Sequence, residues 1–98
     1  WSLLESMSMG ATIVASDVAP VREAIEHGKT GLMADFFDPK DIAKKVVDVL
    51  ERPGTYAHLG PAARRHVVKN FDFKTVCLPE HLRQMNALVP RAKRIAIP

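Results

Sequence analysis

The chain has 98 residues, of which 47% are hydrophobic and 26% are charged, and its formal net charge is +3. A chain of this length forms at most one domain and buries only about 60–65% of its unfolded surface. No apolar run approaches the roughly 20 residues that a membrane-spanning helix needs. The single cysteine, Cys77, allows no internal disulfide and fits a reducing compartment. The four histidines lack metal-ligand spacing, so we expect no metal site and no cofactor.

The charge is unevenly distributed along the chain. Residues 1–59 carry six Lys/Arg and nine Asp/Glu, whereas residues 60–98 carry eight Lys/Arg and only two Asp/Glu. A basic C-terminal part of this kind favours an anionic partner such as a membrane surface, or it is simply a solvated helical face. No aromatic residues alternate with the basic ones, so we expect no nucleic-acid partner.

The first elements are a helix and a strand. Apolar positions over residues 2–9 predict a short helix, and Gly10 supplies its C-terminal stop. The β-branched segment Thr12–Val14, within the apolar stretch 11–16, then predicts a fully buried strand. A helix that leads directly into a buried strand is typical of α/β proteins.

A second helix–strand pair follows. Pro20 suits the first turn of a helix, Val21–His27 continues it, and Gly28 is expected to close it. A turn then leads into a second strand over Gly31–Ala34. Because successive strands separated by helices are usually parallel, we expect a parallel sheet.

Strong start and stop signals frame a third helix. Asp38 is the predicted N-cap, Pro39 occupies the first helical position, and Asp41 adds negative charge to the first turn. Apolar residues then recur at helical spacing, with Lys44, Lys45 and Asp48 expected outside. The Pro-Gly pair at residues 53–54 ends this helix near Glu51.

Two further helices complete the predicted pattern. A basic helix opens at Gly60-Pro61 and ends at Asn70. A last helix runs from about Lys74 into the high eighties, where Pro79 either kinks it or marks a later start. Residues 91–98 are expected to be a tail. Two parallel strands make a poor sheet alone, so we expect the C-terminal part of a Rossmann-like, doubly wound α/β domain, with two short strands and several helices.

The N-terminal helix carries the clearest candidate site. Ser2 and Glu5 lie at the start of the helix, where free N–H groups and a partial positive charge suit an anion. The Glu5 carboxylate, about one turn on, is able to accept hydrogen bonds from a vicinal diol such as a ribose. The same S-x-x-E spacing is also that of a capping box, in which both side chains satisfy the helix's own amides.

Other polar residues have simpler interpretations. Asp17 follows a strand, where open α/β sheets place ligand contacts, but it equally suits a turn. Glu23 is near the same strand end and is expected to be a surface acid. His27 is expected to interact with the C-terminal end of the second helix.

A resemblance to a known family covers about residues 1–75 and is clearest over residues 1–39, WSLLESMSMGATIVASDVAPVREAIEHGKTGLMADFFDP. These residues are similar to the C-terminal domain of retaining glycosyltransferases of the GT-B architecture, particularly glycosyltransferase family four. That family has a Glu, seven residues, a second Glu, an apolar strand ending in V-A-S, a V-x-E helix and G-x-x-G-L. The positions that match in register are Glu5, Gly10, Val14–Ser16, Val21–Glu23, Gly28, Gly31–Leu32, Asp38–Pro39, Leu59–Gly60 and Ala62–Arg64.

The resemblance implies a donor site for a UDP-, GDP- or ADP-sugar. Glu5 would be the family's second Glu, which binds the ribose hydroxyls, and Ser2 would lie beside the diphosphate. Backbone amides from Trp1 to Leu3 would face the same anion. Trp1 replaces a common aliphatic residue, which leaves the identity of the donor open. The resemblance assigns no catalytic residue to this chain.

The resemblance also predicts an organisation. Residues 1–75 would be part of the nucleotide-sugar-binding domain, and residues 76–98 would form a C-terminal helix and basic tail. The family's first Glu, its Arg/Lys phosphate clamp and its N-terminal acceptor domain would lie outside this chain, so the 98 residues alone are expected to be inactive. The expected location is cytoplasmic, with peripheral contact to the inner face of the membrane as an open option.

Two alternatives remain open at this point. One is another GT-B enzyme, such as a sugar-nucleotide epimerase or a phosphorylase, with a similar anion site. The other is a non-catalytic interaction module whose basic C-terminal part faces an anionic membrane. Lipid binding by such a module would be lost at high salt and indifferent to Glu5→Ala, whereas a donor-binding site predicts the opposite sensitivity.

Overall fold

The structure, a computed structural model, describes residues 1–97. It is an α/β arrangement with two short parallel strands and several helices, as the sequence predicts. The elements are α1 Ser2–Ser8, β1 Val14–Ser16, α2 Ala19–Ala24, β2 Leu32–Ala34, α3 Pro39–Glu51, α4 Pro53–Tyr56, α5 Leu59–Phe71 and α6 Leu78–Asn86. A π-helical turn, Phe73–Cys77, precedes α6, and a 3₁₀ turn, Arg91–Lys93, follows it.

The chain separates into two compact units. The N-terminal unit is Trp1–Val67, and the C-terminal unit begins at Val68. The core of the N-terminal unit is a cluster of Met7, Ile25 and Ala63, which come from three distant parts of the sequence. Partly buried apolar side chains from α1, the two strands and α5 pack around it. This cluster fixes α1 against the rest of the unit.

The two strands pair in parallel, and their burial is less complete than predicted. Val14 lies opposite Leu32, and Ser16 lies opposite Ala34. The first strand begins at Val14 rather than Thr12, and all three of its residues are only half-buried. Strand β2 is the more buried of the two, with Leu32 and Ala34 both inside. A sheet of two strands leaves one edge of each strand unpaired.

Helix α2 is shorter than predicted. It ends at Ala24, because Ile25 adopts an extended backbone (φ −116°, ψ 133°) and is 2% exposed in the core. Burial of the Ile25 side chain therefore outweighs continuation of the helix. The prediction that Gly28 closes this helix is wrong. Gly28 lies in the following turn, where its N–H donates to the Gly31 carbonyl at 2.8 Å.

Helix α3 has the predicted start and end but an unexpected distribution of exposure. Asp38 is its N-cap and accepts from the Lys40 N–H at 3.0 Å. Its apolar side is largely open, and Leu50 is 74% exposed. Lys45 and Asp48, expected outside, are half-buried because each is bonded to a neighbouring side chain.

The C-terminal unit confirms the later start of the last helix. Pro79 occupies the second position of α6, where a missing N–H costs nothing. The π-helical turn before it has Asp72 as its N-cap, and the Asp72 carboxylate accepts from the backbone N–H and the side-chain hydroxyl of Thr75. Residues after α6 are not a free tail, since Asn86 bonds to the backbone of Ile95.

Candidate functional site

Helix α1 has a buried side and an exposed side. Met7 is fully buried, and Leu3 and Leu4 pack against the core cluster as partly buried side chains. Ser2 and Glu5 are three residues apart, lie on one face of the helix and are exposed. The core therefore holds the helix in place while the face with Ser2 and Glu5 stays open.

Ser2 and Glu5 do not form a capping box. The N-cap residue is Trp1, one position earlier than the box requires, and it makes no side-chain cap hydrogen bond. The Glu5 N–H donates instead to the Trp1 carbonyl at 2.9 Å. Within residues 1–97, the Glu5 carboxylate has no hydrogen-bond or ion-pair partner. The capping-box interpretation is thus wrong, and this carboxylate is free to meet a ligand.

The first turn of α1 also presents backbone donors. The N–H groups of Ser2, Leu3 and Leu4 precede the first intrahelical hydrogen bond, so they have no acceptor within the helix. Trp1 is 95% exposed, whereas Leu3 is half-buried and directs its side chain to the core. The Leu3 side chain is therefore engaged with the core, while its N–H group has no acceptor within the helix.

The C-terminal end of α1 is closed by a Schellman motif. Gly10 adopts φ +74°, a left-handed conformation that other residues rarely take. The Gly10 N–H donates to the Met7 carbonyl at 3.0 Å, and the Ala11 N–H donates to the Ser6 carbonyl at 3.2 Å. These two backbone hydrogen bonds end the helix at Gly10, as the sequence predicts.

Helix α5 holds the same end of α1 through two long-range contacts. Gly60 lies against the Gly10 carbonyl, so closely that an added Cβ would overlap it. Arg64 donates a hydrogen bond to the Ser8 carbonyl, which places a positive charge at the C-terminal end of α1. Sequence reasoning missed both contacts, because nothing local indicates which residues 50 or more positions away will meet.

A groove lined by both charged and apolar side chains lies at the carboxyl ends of both strands. It has a volume of about 610 Å³ and is lined by Asp17, Val18, Arg22, Asp35, Phe36, Phe37 and Asp41. In an α/β unit a helix runs antiparallel to the strands beside it, so the start of α1 belongs to this same edge of the sheet. Ligands of open α/β sheets bind at this edge. The sequence pattern Asp-Phe-Phe directly after β2 was the signal for this groove, and it was not recognised.

The carboxylates of the groove are engaged in structural bonds. Arg22 Nε donates to Asp17 Oδ1 at 2.6 Å, and this bond lowers the pKa of Asp17 below its ordinary value. A hydrogen bond from Lys45 Nζ at 2.6 Å, followed by one from the Asp35 N–H at 2.8 Å, lowers the pKa of Asp41. Of the two interpretations of Asp17, ligand contact or turn residue, the bond to Arg22 supports the turn residue.

The remaining polar residues also have structural positions. His27 lies beyond the end of α2, and its Nδ1 accepts from the Met33 N–H at 2.9 Å, so its expected role at the helix end is wrong. Glu23 is an exposed acid on α2, as predicted. In the described part of the chain, no three His, Cys, Asp or Glu side chains are grouped to hold a metal ion. Nor is any helix of residues 1–97 long and apolar enough to cross a membrane.

Most of the chain is similar to a known family. Residues 1–66 match the model of the family described as "Glycosyl transferases group 1". The matched range includes α1, both strands, α3 and the first part of α5. It therefore contains Trp1, Ser2 and Glu5 together with the contacts that hold α1.

Several curated proteins are similar to part of this chain. The chain is 33% identical over 66 residues to a D-inositol 3-phosphate glycosyltransferase of Thermobispora bispora, covering 67% of this chain and 15% of that protein. It is 34% identical over 73 residues to spore coat protein SA of Bacillus subtilis, covering 74% and 19%. It is 32% identical over 73 residues to a glycogen synthase of Mycobacterium tuberculosis, covering 74% and 18%. The chain thus spans less than a fifth of the length of these relatives.

Proposed function

Because this chain belongs to the family of group 1 glycosyl transferases, we propose that it is part of an enzyme that transfers a sugar from a nucleotide-diphosphate sugar to a hydroxyl acceptor. We propose further that transfer proceeds with retention of the anomeric configuration. The observation that carries the proposal is the free carboxylate of Glu5 on the exposed face of α1. A buried side holds the helix, so this face is available for recognition.

Glu5 is proposed to bind the ribose of the donor. A carboxylate is an acceptor with two oxygens, and the vicinal 2′- and 3′-hydroxyls of a ribose offer two donors. Hydrogen bonds to a charged acceptor contribute about 1.5–3 kcal/mol each. Within residues 1–97 no side chain or backbone group bonds to the Glu5 carboxylate, so both of its oxygens are available to accept hydrogen bonds from the ribose.

Ser2, Leu3 and Trp1 are proposed to face the diphosphate. The Ser2 hydroxyl and the first N–H groups of α1 are donors on one side of the helix, and the N-terminal end of a helix favours negative charge. During transfer, the nucleoside diphosphate leaves with additional negative charge, which such donors stabilise electrostatically. The exposed Trp1 indole would cover the sugar or the base.

Other parts of the enzyme are proposed to come from elsewhere in a longer chain. The acceptor domain, the phosphate clamp and the loop that recognises the base would lie outside these 98 residues. Residues 1–75 would complete the donor domain and residues 76–98 would extend it. We infer that the 98 residues alone are inactive and that the full-length protein acts in the cytoplasm.

The test uses the full-length protein that carries this chain. It is incubated in turn with UDP-, GDP- and ADP-glucose, and release of the nucleoside diphosphate is measured with and without a panel of sugar and polyol acceptors. Proton NMR of the first product gives the anomeric configuration. Turnover of one donor with retention supports the proposal. An inverted product contradicts the retaining mechanism, and absence of turnover with all nucleotide sugars contradicts the function.

A further inference from the structure

Asn86 folds the C-terminal segment into a closed loop. Its buried side chain donates from Nδ2 to the Ile95 carbonyl at 2.6 Å and accepts the Ile95 N–H at 2.8 Å. The 3₁₀ turn Arg91–Lys93 lies between these two residues. Residues 87–97, here called the C-terminal loop, are therefore tied to α6 through the backbone of Ile95.

The C-terminal loop exposes apolar and basic side chains together. Leu88 is 87% exposed, and the other exposed large apolar residues of the loop are Val89, Ile95 and Ile97. The loop contains three basic residues, Arg91, Lys93 and Arg94, and no acidic residue. Arg91 and Arg94 line an open groove of about 700 Å³ with Ile95 and Ile97. Lys93 lines a second groove with Leu88, Val89 and Ile95, so each of the two grooves combines basic and apolar side chains, and Ile95 borders both.

We propose that the C-terminal loop is a docking surface for an anionic lipid bilayer. Apolar side chains gain by entering the boundary between headgroups and acyl chains, while Lys and Arg pair with anionic headgroups. This loop has both apolar and basic side chains, and it contains no acidic residue that would neutralise its positive charge. The loop therefore complements a bilayer surface in charge and in polarity.

The composition of the loop favours lipid over nucleic acid. Single-stranded nucleic acid is bound by basic grooves with aromatic side chains on which the bases stack. Residues 87–97 include no aromatic residue, and their apolar side chains are aliphatic. Aliphatic side chains enter a bilayer interface readily but offer no surface for base stacking. An anionic bilayer therefore interacts with both the aliphatic and the basic side chains of the loop.

The first test measures the contribution of charge. The full-length protein is sedimented with vesicles of phosphatidylcholine alone or with about one third phosphatidylglycerol. We expect binding to the anionic vesicles that is lost as salt rises. Each Lys or Arg near such a surface strengthens binding about fivefold, so the triple variant Arg91→Gln, Lys93→Gln, Arg94→Gln should bind about 100-fold more weakly. The matched control, Lys29→Gln, Lys40→Gln, Lys44→Gln, makes the same charge change in the N-terminal unit and should bind as the wild type does.

The second test measures the apolar contribution. Leu88→Ser should weaken vesicle binding about tenfold, because the variant lacks the leucine side chain that enters the bilayer. Leu50→Ser removes a similarly exposed leucine from α3 and should leave binding unchanged. The proposal is overturned if the wild type does not sediment with anionic vesicles, if the triple variant binds like its control, or if the loop variants instead abolish binding to a single-stranded oligonucleotide.

Discussion

The carbonyl oxygen of Gly10 lies directly over the Cα of Gly60, at a separation that leaves no room for a Cβ on Gly60. One glycine ends α1 and the other lies in the first turn of α5. Neighbouring Arg64 adds a hydrogen bond to the Ser8 carbonyl. The position of α1, and with it that of Glu5, therefore depends on a contact between two residues 50 positions apart in sequence.

Replacing Gly60 should displace α1. Gly60→Ala forces a methyl group against backbone, and such overpacking costs typically about 1–3 kcal/mol. We expect faster amide hydrogen exchange across α1 in the full-length protein. Gly54→Ala is the control, because nothing lies within 4 Å of a Cβ at that helical position. Equal protection of α1 in the two variants would show that the Gly10–Gly60 contact does not hold the helix.

Removal of the Asp38 carboxylate should loosen the start of α3. Its side chain accepts from the Lys40 N–H at 3.0 Å. Loss of an N-cap of this type typically costs about 1 kcal/mol. Asp38→Ala should therefore raise hydrogen exchange of the first-turn amides of α3 about fivefold, whereas Asp38→Asn, which keeps an acceptor, should change it little. Similar exchange in the alanine and asparagine variants would contradict the capping role.

The Asp17–Arg22 pair predicts a dependence of stability on pH. The hydrogen bond from Arg22 lowers the pKa of Asp17 in the folded protein. Its stabilisation is therefore present above the unfolded pKa, about 3.9, and is lost as pH falls through the lower folded value. The thermal midpoint of Asp17→Asn should lie below that of the wild type at pH 6, and the difference should shrink below about pH 4. Glu23→Gln replaces an exposed acid on α2, and its thermal midpoint should equal that of the wild type at both pH values. If its midpoint also falls at pH 6, the change in net charge, and not the loss of the Asp17–Arg22 pair, explains the effect.

Truncation of Asn86 should free the C-terminal loop. Two hydrogen bonds join its buried side chain to Ile95. Each such bond contributes about 0.5–1.5 kcal/mol. We expect Asn86→Ala to increase cleavage by trypsin after Arg91, Lys93 or Arg94, as limited proteolysis with mass spectrometry would show. Gln84→Ala, at an exposed position of the same helix, is the control. Unchanged cleavage in Asn86→Ala would mean that other contacts close the loop.

The fold was predictable where local signals agree. Asp38 with Pro39 indicated the start of α3, and Gly10 indicated the end of α1, because both act through neighbouring backbone groups. The end of α2 was not predictable, since it is set by the burial of Ile25 against Met7 and Ala63, which lie far away in sequence. The Asn86–Ile95 closure escaped detection for a related reason, as an asparagine at a helix end suits solvent equally well.

The candidate site was predictable in its residues but not in its geometry. The spacing of Ser2 and Glu5 fitted both a capping box and a ligand site. The two interpretations differ in which residue is the N-cap, and the structure places the N-cap at Trp1. Sequence patterns do not locate the start of a helix to within one residue. The roles of Glu5, Ser2, Leu3 and Trp1 toward a nucleotide sugar stay predictions.

The central claim is that Glu5 binds the ribose of the donor. Calorimetric titration of the full-length protein with UDP, GDP and ADP identifies the nucleotide that binds. That nucleotide and its 2′-deoxy analogue are then titrated into the wild type, Glu5→Gln and the control Glu51→Gln. In the wild type and the control, loss of the 2′-hydroxyl should weaken binding by about 2 kcal/mol, roughly 30-fold.

In Glu5→Gln, binding of the ribonucleotide should already be weaker by a similar amount, and the deoxy analogue should bind almost equally well, because the carboxylate and the hydroxyl act as one pair. If Glu5→Gln binds the ribonucleotide as tightly as the control does, or discriminates the analogue as strongly, Glu5 does not contact the ribose and the proposed donor site is wrong.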